Sequence, residues 1–125
     1  MSENQQITSL PLLDEDVLAK VASDTSWGFL STTINQFFDE TEARLPRMLE
    51  NTQSKNWTDL ASEAHALKGS SAWFGAMQLN AVSKQIEQAA KSSDEAAATQ
   101  AVTGLKVVVE NSITTIKTYL QSKAD

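Results

Sequence analysis

His65 is the only histidine in the 125-residue chain, and there is no cysteine. Lys68 follows it by three positions and Gly69 by four. An imidazole titrates near neutrality, so it can act as a nucleophile at physiological pH. An ammonium three residues on in a helix borders the same patch and can hold an anion beside it. The absences narrow the chemistry further. Without cysteine there is no disulfide framework, thiolate metal site, iron–sulfur cluster or thiol nucleophile. One histidine excludes a His-pair metal site within one chain. A diiron bundle needs Glu three residues before its histidine, and that position is Ser62. One nucleophile, one adjoining cation and no metal site are expected.

The elements that must position these residues are helical. Five segments carry apolar residues at spacings of three and four. The first, about 14–23, opens on Asp14 as N-cap and carries Val17, Leu18 and Val21. The second, about 27–51, carries Leu30, Ile34, Phe37, Thr41, Leu45 and Met48, with Phe38 and Leu49 widening the stripe. Pro46 removes a backbone hydrogen bond there, and a bend is expected because the stripe continues beyond it. The third segment is capped by Asn56 and runs to Phe74, with Gly75 placed to end it. The fourth, about 76–91, carries Leu79, Val82, Ile86 and Ala89. Ser92-Ser93-Asp94 breaks it and caps the fifth, about 95–121. Short connections make neighbours antiparallel. The fold class expected is all-α: an up-down-up-down four-helix bundle over residues 13–122, with an additional short N-terminal helix and a polar tail at 1–12.

The third segment decides where His65 points. Each helical residue turns about 100°, so with Leu60 at 0°, Trp57, Ala64, Leu67, Ser71 and Phe74 fall within about 60° of it. That stripe is the core face. His65 falls at about 140° and Gly69 at about 180°, away from it. The residues around His65 at helical spacing are Ala61, Ser62, Gly69 and Ala72, all small. A helix interior holding Gly is destabilised by about 1 kcal/mol relative to Ala, and Ser-Ser competes for backbone hydrogen bonds. Helix formation alone does not explain Gly69-Ser70-Ser71. A lone histidine is ordinarily a surface or a satisfied core residue. The wheel angle removes the core version, and the flat small patch with Lys68 weakens the surface one. Trp57, Phe74, Phe37 and Phe38 read as core aromatics, whereas Trp73 at about 220° is a weak candidate for an interface.

Charge and targeting bound the partners. The net charge of −6 argues against nucleic-acid and anionic-membrane surfaces. Residues 1–13 lack the basic and apolar regions of a signal peptide, and no apolar run approaches the ~18 residues of a membrane span. A cytoplasmic protein complete in this chain is expected.

The run His65-Ala66-Leu67-Lys68-Gly69-Ser70-Ser71-Ala72-Trp73-Phe74-Gly75-Ala76 resembles the phosphorylation motif of histidine-containing phosphotransfer (HPt) domains. The shared pattern is His-x-x-Lys-Gly-Ser/Ala with a later Gly. Asn56-Trp57-Thr58-Asp59-Leu60 and Leu45-Pro46 resemble the family too, and the likeness runs from about Leu13 to Tyr119.

The resemblance implies a phosphorelay intermediate of two-component signalling. Such proteins accept a phosphoryl group from a receiver-domain aspartate of a hybrid sensor kinase. They pass it to the aspartate of a response regulator, with no autokinase activity. By this likeness His65 is phosphorylated, Lys68 steadies the phosphoryl group and Gly69 leaves room for the receiver. Ala61, Ser62 and Ala72 form the receiver-docking face. No cofactor is implied for this chain, since the receiver brings the Mg²⁺, and a monomer is expected. The family often places Gln 22 residues after the histidine. Here that residue is Glu87, which either orients the imidazole or points elsewhere, with Lys84 and Gln85 as neighbouring alternatives. A histidine-kinase dimerisation region usually places an acid and then Pro after its histidine, whereas Ala66 follows here. A phosphotransfer domain excised from a chemotaxis-type kinase shares the motif. A non-catalytic helical scaffold would explain the bundle but not Gly69 beside Lys68.

Overall fold

The computed structural model describes residues 3–123. Its six helices are α1 (Glu3–Thr8), α2 (Glu15–Asp24), α3 (Trp27–Gln53), α4 (Trp57–Trp73), α5 (Met77–Lys91) and α6 (Glu95–Ser122). Helices α3 to α6 form the antiparallel bundle, and α2 is the additional short helix. Within the bundle, α4 packs between α3 and α5, and α6 closes the ring between α5 and α3.

The helix starts follow local chemistry. Carboxylate or amide oxygens of Asp14, Asn56 and Asp94 accept from the backbone N–H of Asp16, Asp59 and Ala97. Ser26 caps α3 in the same way, through Phe29 N–H. These bonds satisfy donors that a helix N-terminus otherwise leaves open. Helix α3 continues through Pro46 to Gln53, because Met48 and Thr52 beyond the proline are buried in the bundle. Leu49, expected to widen the apolar stripe, is instead half exposed. It lines an open groove with Leu45 and Pro46, facing Val102, Leu105 and Val109 of α6. The core there does not close over it.

Residues 1–12, read from sequence as a polar tail, include the short helix α1. Its Ile7 is buried, and the Gln78 amide of α5 donates to the Leu10 carbonyl at 2.6 Å. The Ile7 side chain and long-range hydrogen bonds from Gln78 to the Leu10 and Thr8 carbonyls fix this segment, and neither feature has a local signature.

The α4–α5 turn fixes the end of the helix that carries His65. Gly75 has φ +68°, and the Gly75 and Ala76 N–H groups donate to the carbonyls of Ala72 and Ser71. This is the paired hydrogen-bond pattern that ends helices on a left-handed residue. Lys55 and Ser93 adopt similar φ values after α3 and α5. Only the α4 terminus also demands the absence of a side chain. A Cβ on Gly75 would lie 2.7 Å from the Asp14 carbonyl oxygen and 3.0 Å from Val17 Cβ. The Gly75 carbonyl in turn accepts from Asp14 N–H at 2.8 Å. Helix α2 is thereby held against the α4–α5 corner.

Candidate functional site

The inner stripe of α4 sits as the helical phase requires. Leu60, Ala64, Leu67 and Ser71 are wholly buried. On the side toward α3, Glu63 accepts from Arg44 at 2.9 Å and from Arg47 at 3.2 Å. Partial burial would push the Glu63 carboxyl up, but the Arg47 and Arg44 hydrogen bonds outweigh it and hold the group below the usual range. On the other side, the Lys68 carbonyl accepts from Ser71 Oγ at 3.0 Å and from Asn80 Nδ2 at 2.8 Å. Helix α4 is thus tied to α3 just before His65 and to α5 at Lys68.

The outer face is open. The His65 side chain is 69% exposed. A Cβ added at Gly69 would meet nothing within 4 Å, so no packing inside the bundle demands this glycine. Ser62 and Ala72 are exposed and Ala61 half-buried, leaving a low surface around the imidazole.

One carboxylate organises the polar part. Glu87, on α5, is only 5% exposed through its side chain. Its Oε2 lies 2.8 Å from His65 Nδ1 and its Oε1 accepts from Lys68 Nζ at 2.7 Å. Lys91 Nζ stands 3.1 Å from Oε2. The hydrogen bond from Lys68 is the main reason the Glu87 carboxyl is pulled down to about 2. Burial opposes this, and hydrogen bonds from Lys91 and His65 add to it. The group is therefore a carboxylate at neutral pH and can only accept. Facing a neutral imidazole, it selects the tautomer with the proton on Nδ1 and leaves the Nε2 lone pair free. Two ammonium groups against one carboxylate leave a local net positive charge, although the whole chain carries −6. An anion at Nε2 would meet that positive charge.

Of the three candidates on α5, the structure brings Glu87 to His65. Lys84 and Gln85 instead line a groove with Gln6, Ile7 and Leu10, and among the described residues neither is hydrogen-bonded or ion-paired to His65. Two contributors were not singled out from sequence. Lys91 stands four residues after Glu87, a spacing that pairs charges on a helix and was open to recognition. Asn80 reaches the Lys68 carbonyl only because α4 and α5 pack together, and nothing local marks it.

The helical bundle presents one solvent-facing imidazole whose Nδ1 meets a carboxylate that two ammonium groups also contact. The Hpt domain profile matches residues 33–120, and the chain belongs to that family. Two solved structures share the fold. The crystal structure of histidine-containing phosphotransfer protein B (HptB) from Pseudomonas aeruginosa aligns with TM-score 0.83 and 23% identity, covering 90% of this chain and 96% of that one. The X-ray structure of a putative histidine-containing phosphotransfer protein from rice aligns with TM-score 0.75 and 21% identity, covering 95% and 86%. A search of curated proteins finds no match. Family membership carries a histidine phosphotransfer role in two-component signalling. No helix among the described residues is long and apolar enough to cross a membrane.

Proposed function

We propose that His65 is the phosphorylated residue. In this reading it takes a phosphoryl group from the aspartate of a sensor-kinase receiver domain and delivers it to the aspartate of a response regulator. The observation that carries the reading is the exposed imidazole whose Nδ1 meets the buried Glu87 carboxylate at 2.8 Å. Nε2 attacks the phosphorus of an aspartyl phosphate. The N–P bond forms as the P–O bond to the aspartate breaks, and the aspartate leaves as carboxylate. Positive charge grows on the ring during attack, and the Nδ1–H to Glu87 hydrogen bond strengthens with it. Lys68 and Lys91 offset the negative charge of the phosphoryl oxygens.

Mg²⁺ would neutralise further charge from the receiver side. Among the described residues no cluster of three His, Cys, Asp or Glu side chains suits a metal ion. Gly69 gives the receiver room to approach, and Ala61, Ser62 and Ala72 form the flat ground on which it sits. All these groups come from α4 and α5 of one chain, which supports a monomer as the working unit. It serves receivers in the cytoplasm and needs no ATP site of its own.

The test is transfer from radiolabelled phospho-receivers. Acid-labile, alkali-stable phosphate should accumulate on the protein and be absent from His65→Gln. No transfer across a broad panel of receivers would sink the proposal.

A further inference from the structure

Trp73 has no part in the chemistry above, yet it lies on the same helix, one turn beyond Gly69. It is 68% exposed, more than the other exposed large hydrophobic residues, which include Phe29 at 54% and Leu49 at 48%. Tryptophan carries the largest apolar surface of any side chain and is enriched where partners bind most tightly. Helix geometry places it about 6 Å along the axis from Gly69 and about 40° around it. Side chains on a helix lean toward its N-terminus, so the indole tilts back toward Gly69 and His65. The residues around His65 are otherwise low: Ser62, Gly69 and Ala72 offer no projection.

The footprint of a partner supplies the second half of the argument. A specific interface covers about 800 Å² on each protein, equivalent to a disc about 16 Å in radius. Any domain that brings an aspartyl phosphate to Nε2 must cover such an area around His65. Trp73 is eight residues from His65, about 12 Å along the axis and about 80° around it, and falls inside the disc.

We propose that Trp73 is the apolar anchor by which the receiver domain docks, seated in a recess on the receiver and setting which receivers this chain serves. The inference rests on the relay reading of His65. Trp73 acts through docking and does not touch the reacting atoms.

The experiment uses the full chain and a receiver that phosphorylates wild-type protein. Trp73→Ala should raise the half-saturating receiver concentration about tenfold or more, as expected of an interface hot spot. The first-order transfer rate at saturating receiver should stay within about twofold, and Trp73→Phe should recover most of the loss. Acrylamide quenching attributable to Trp73, taken as the difference between wild type and Trp73→Phe, should fall as unphosphorylated receiver is added. Circular dichroism and melting of Trp73→Ala should match wild type, because the side chain is largely in solvent. Unchanged half-saturation in Trp73→Ala with normal transfer would overturn the anchor and leave the relay standing. Absence of transfer to wild-type His65 would remove the relay reading, and the anchor with it. Concentration-dependent dimerisation abolished by Trp73→Ala would identify a second copy of the chain as the occupant and also overturn the proposal.

Discussion

Replacing Glu87 by Ala removes the acceptor that fixes the His65 tautomer. The Nδ1···Oε2 distance of 2.8 Å is that of a charge-assisted hydrogen bond, and such bonds contribute about 1.5–3 kcal/mol. The bond strengthens as charge develops on the ring, so most of its loss falls on the transition state. A loss of about 2 kcal/mol slows transfer about 30-fold. Without the acceptor, the ring can also place its proton on Nε2, where the lone pair is needed.

Glu87→Gln separates the two roles of the side chain. Its amide oxygen still accepts from Nδ1–H and keeps about half of that bond, so transfer should return to within about fivefold of wild type. The charge is gone, however, and with it an acid-dependent contribution to stability. The folded carboxyl sits at about 2, below the ordinary 4.5. Its contribution is therefore complete above pH 4.5 and is lost as the pH falls from 4.5 toward 2. Acid unfolding of Glu87→Gln should be flatter across that window. Rapid-quench transfer from a phosphorylated receiver gives the rates, and nitrogen-detected NMR of His65 gives the tautomer. Wild-type transfer in Glu87→Ala would refute the reasoning. So would a Gln variant as slow as Ala, which would assign the effect to charge alone.

Gly69→Gln should leave the melting temperature unchanged or raise it by the equivalent of about half a kcal/mol, since Gln is the better helix former and the site is open. Transfer should nevertheless slow at least about tenfold; equal transfer would end the steric role of Gly69. Gly75→Ala should destabilise by about 3 kcal/mol, from the left-handed backbone and the disturbed bond to Asp14 N–H. For a chain of this length that lowers the melting temperature by about 10 °C. A loss of less than about 3 °C by calorimetry would mean that α2 is not held at this corner.

The features legible in the sequence are those written locally. Asp14, Asn56 and Asp94 each stand before an apolar-periodic run, and each caps its helix. Gly75 was legible as the end of α4, and the outward phase of His65 follows from a rotation of 100° per residue. What stayed open or escaped depends on packing between elements. Glu87 was marked 22 residues after His65, but whether it turns to the imidazole depends on how α4 and α5 are rotated against each other. Asn80 is hidden for the same reason. Ile7 is buried by contact with the bundle and not by any period of its own, so α1 read as a tail. Leu49 has the right spacing for the core, but the α3–α6 groove is open where it lies.

The Lys68 ammonium already has an anion in the resting protein, at 2.7 Å. On the proposed reading, a phosphoryl group arriving on Nε2 shares Lys68 with Glu87, which keeps Lys91 as its second partner. The two compete for that ammonium, and whatever Lys68 gives the newcomer it withdraws from the carboxylate. What Lys68 contributes to capture is then a difference between two ion pairs, less than either alone. On that reading the lysine favours the loaded state only weakly, which suits a group that has to be passed on. A tighter grip would turn a courier into a store.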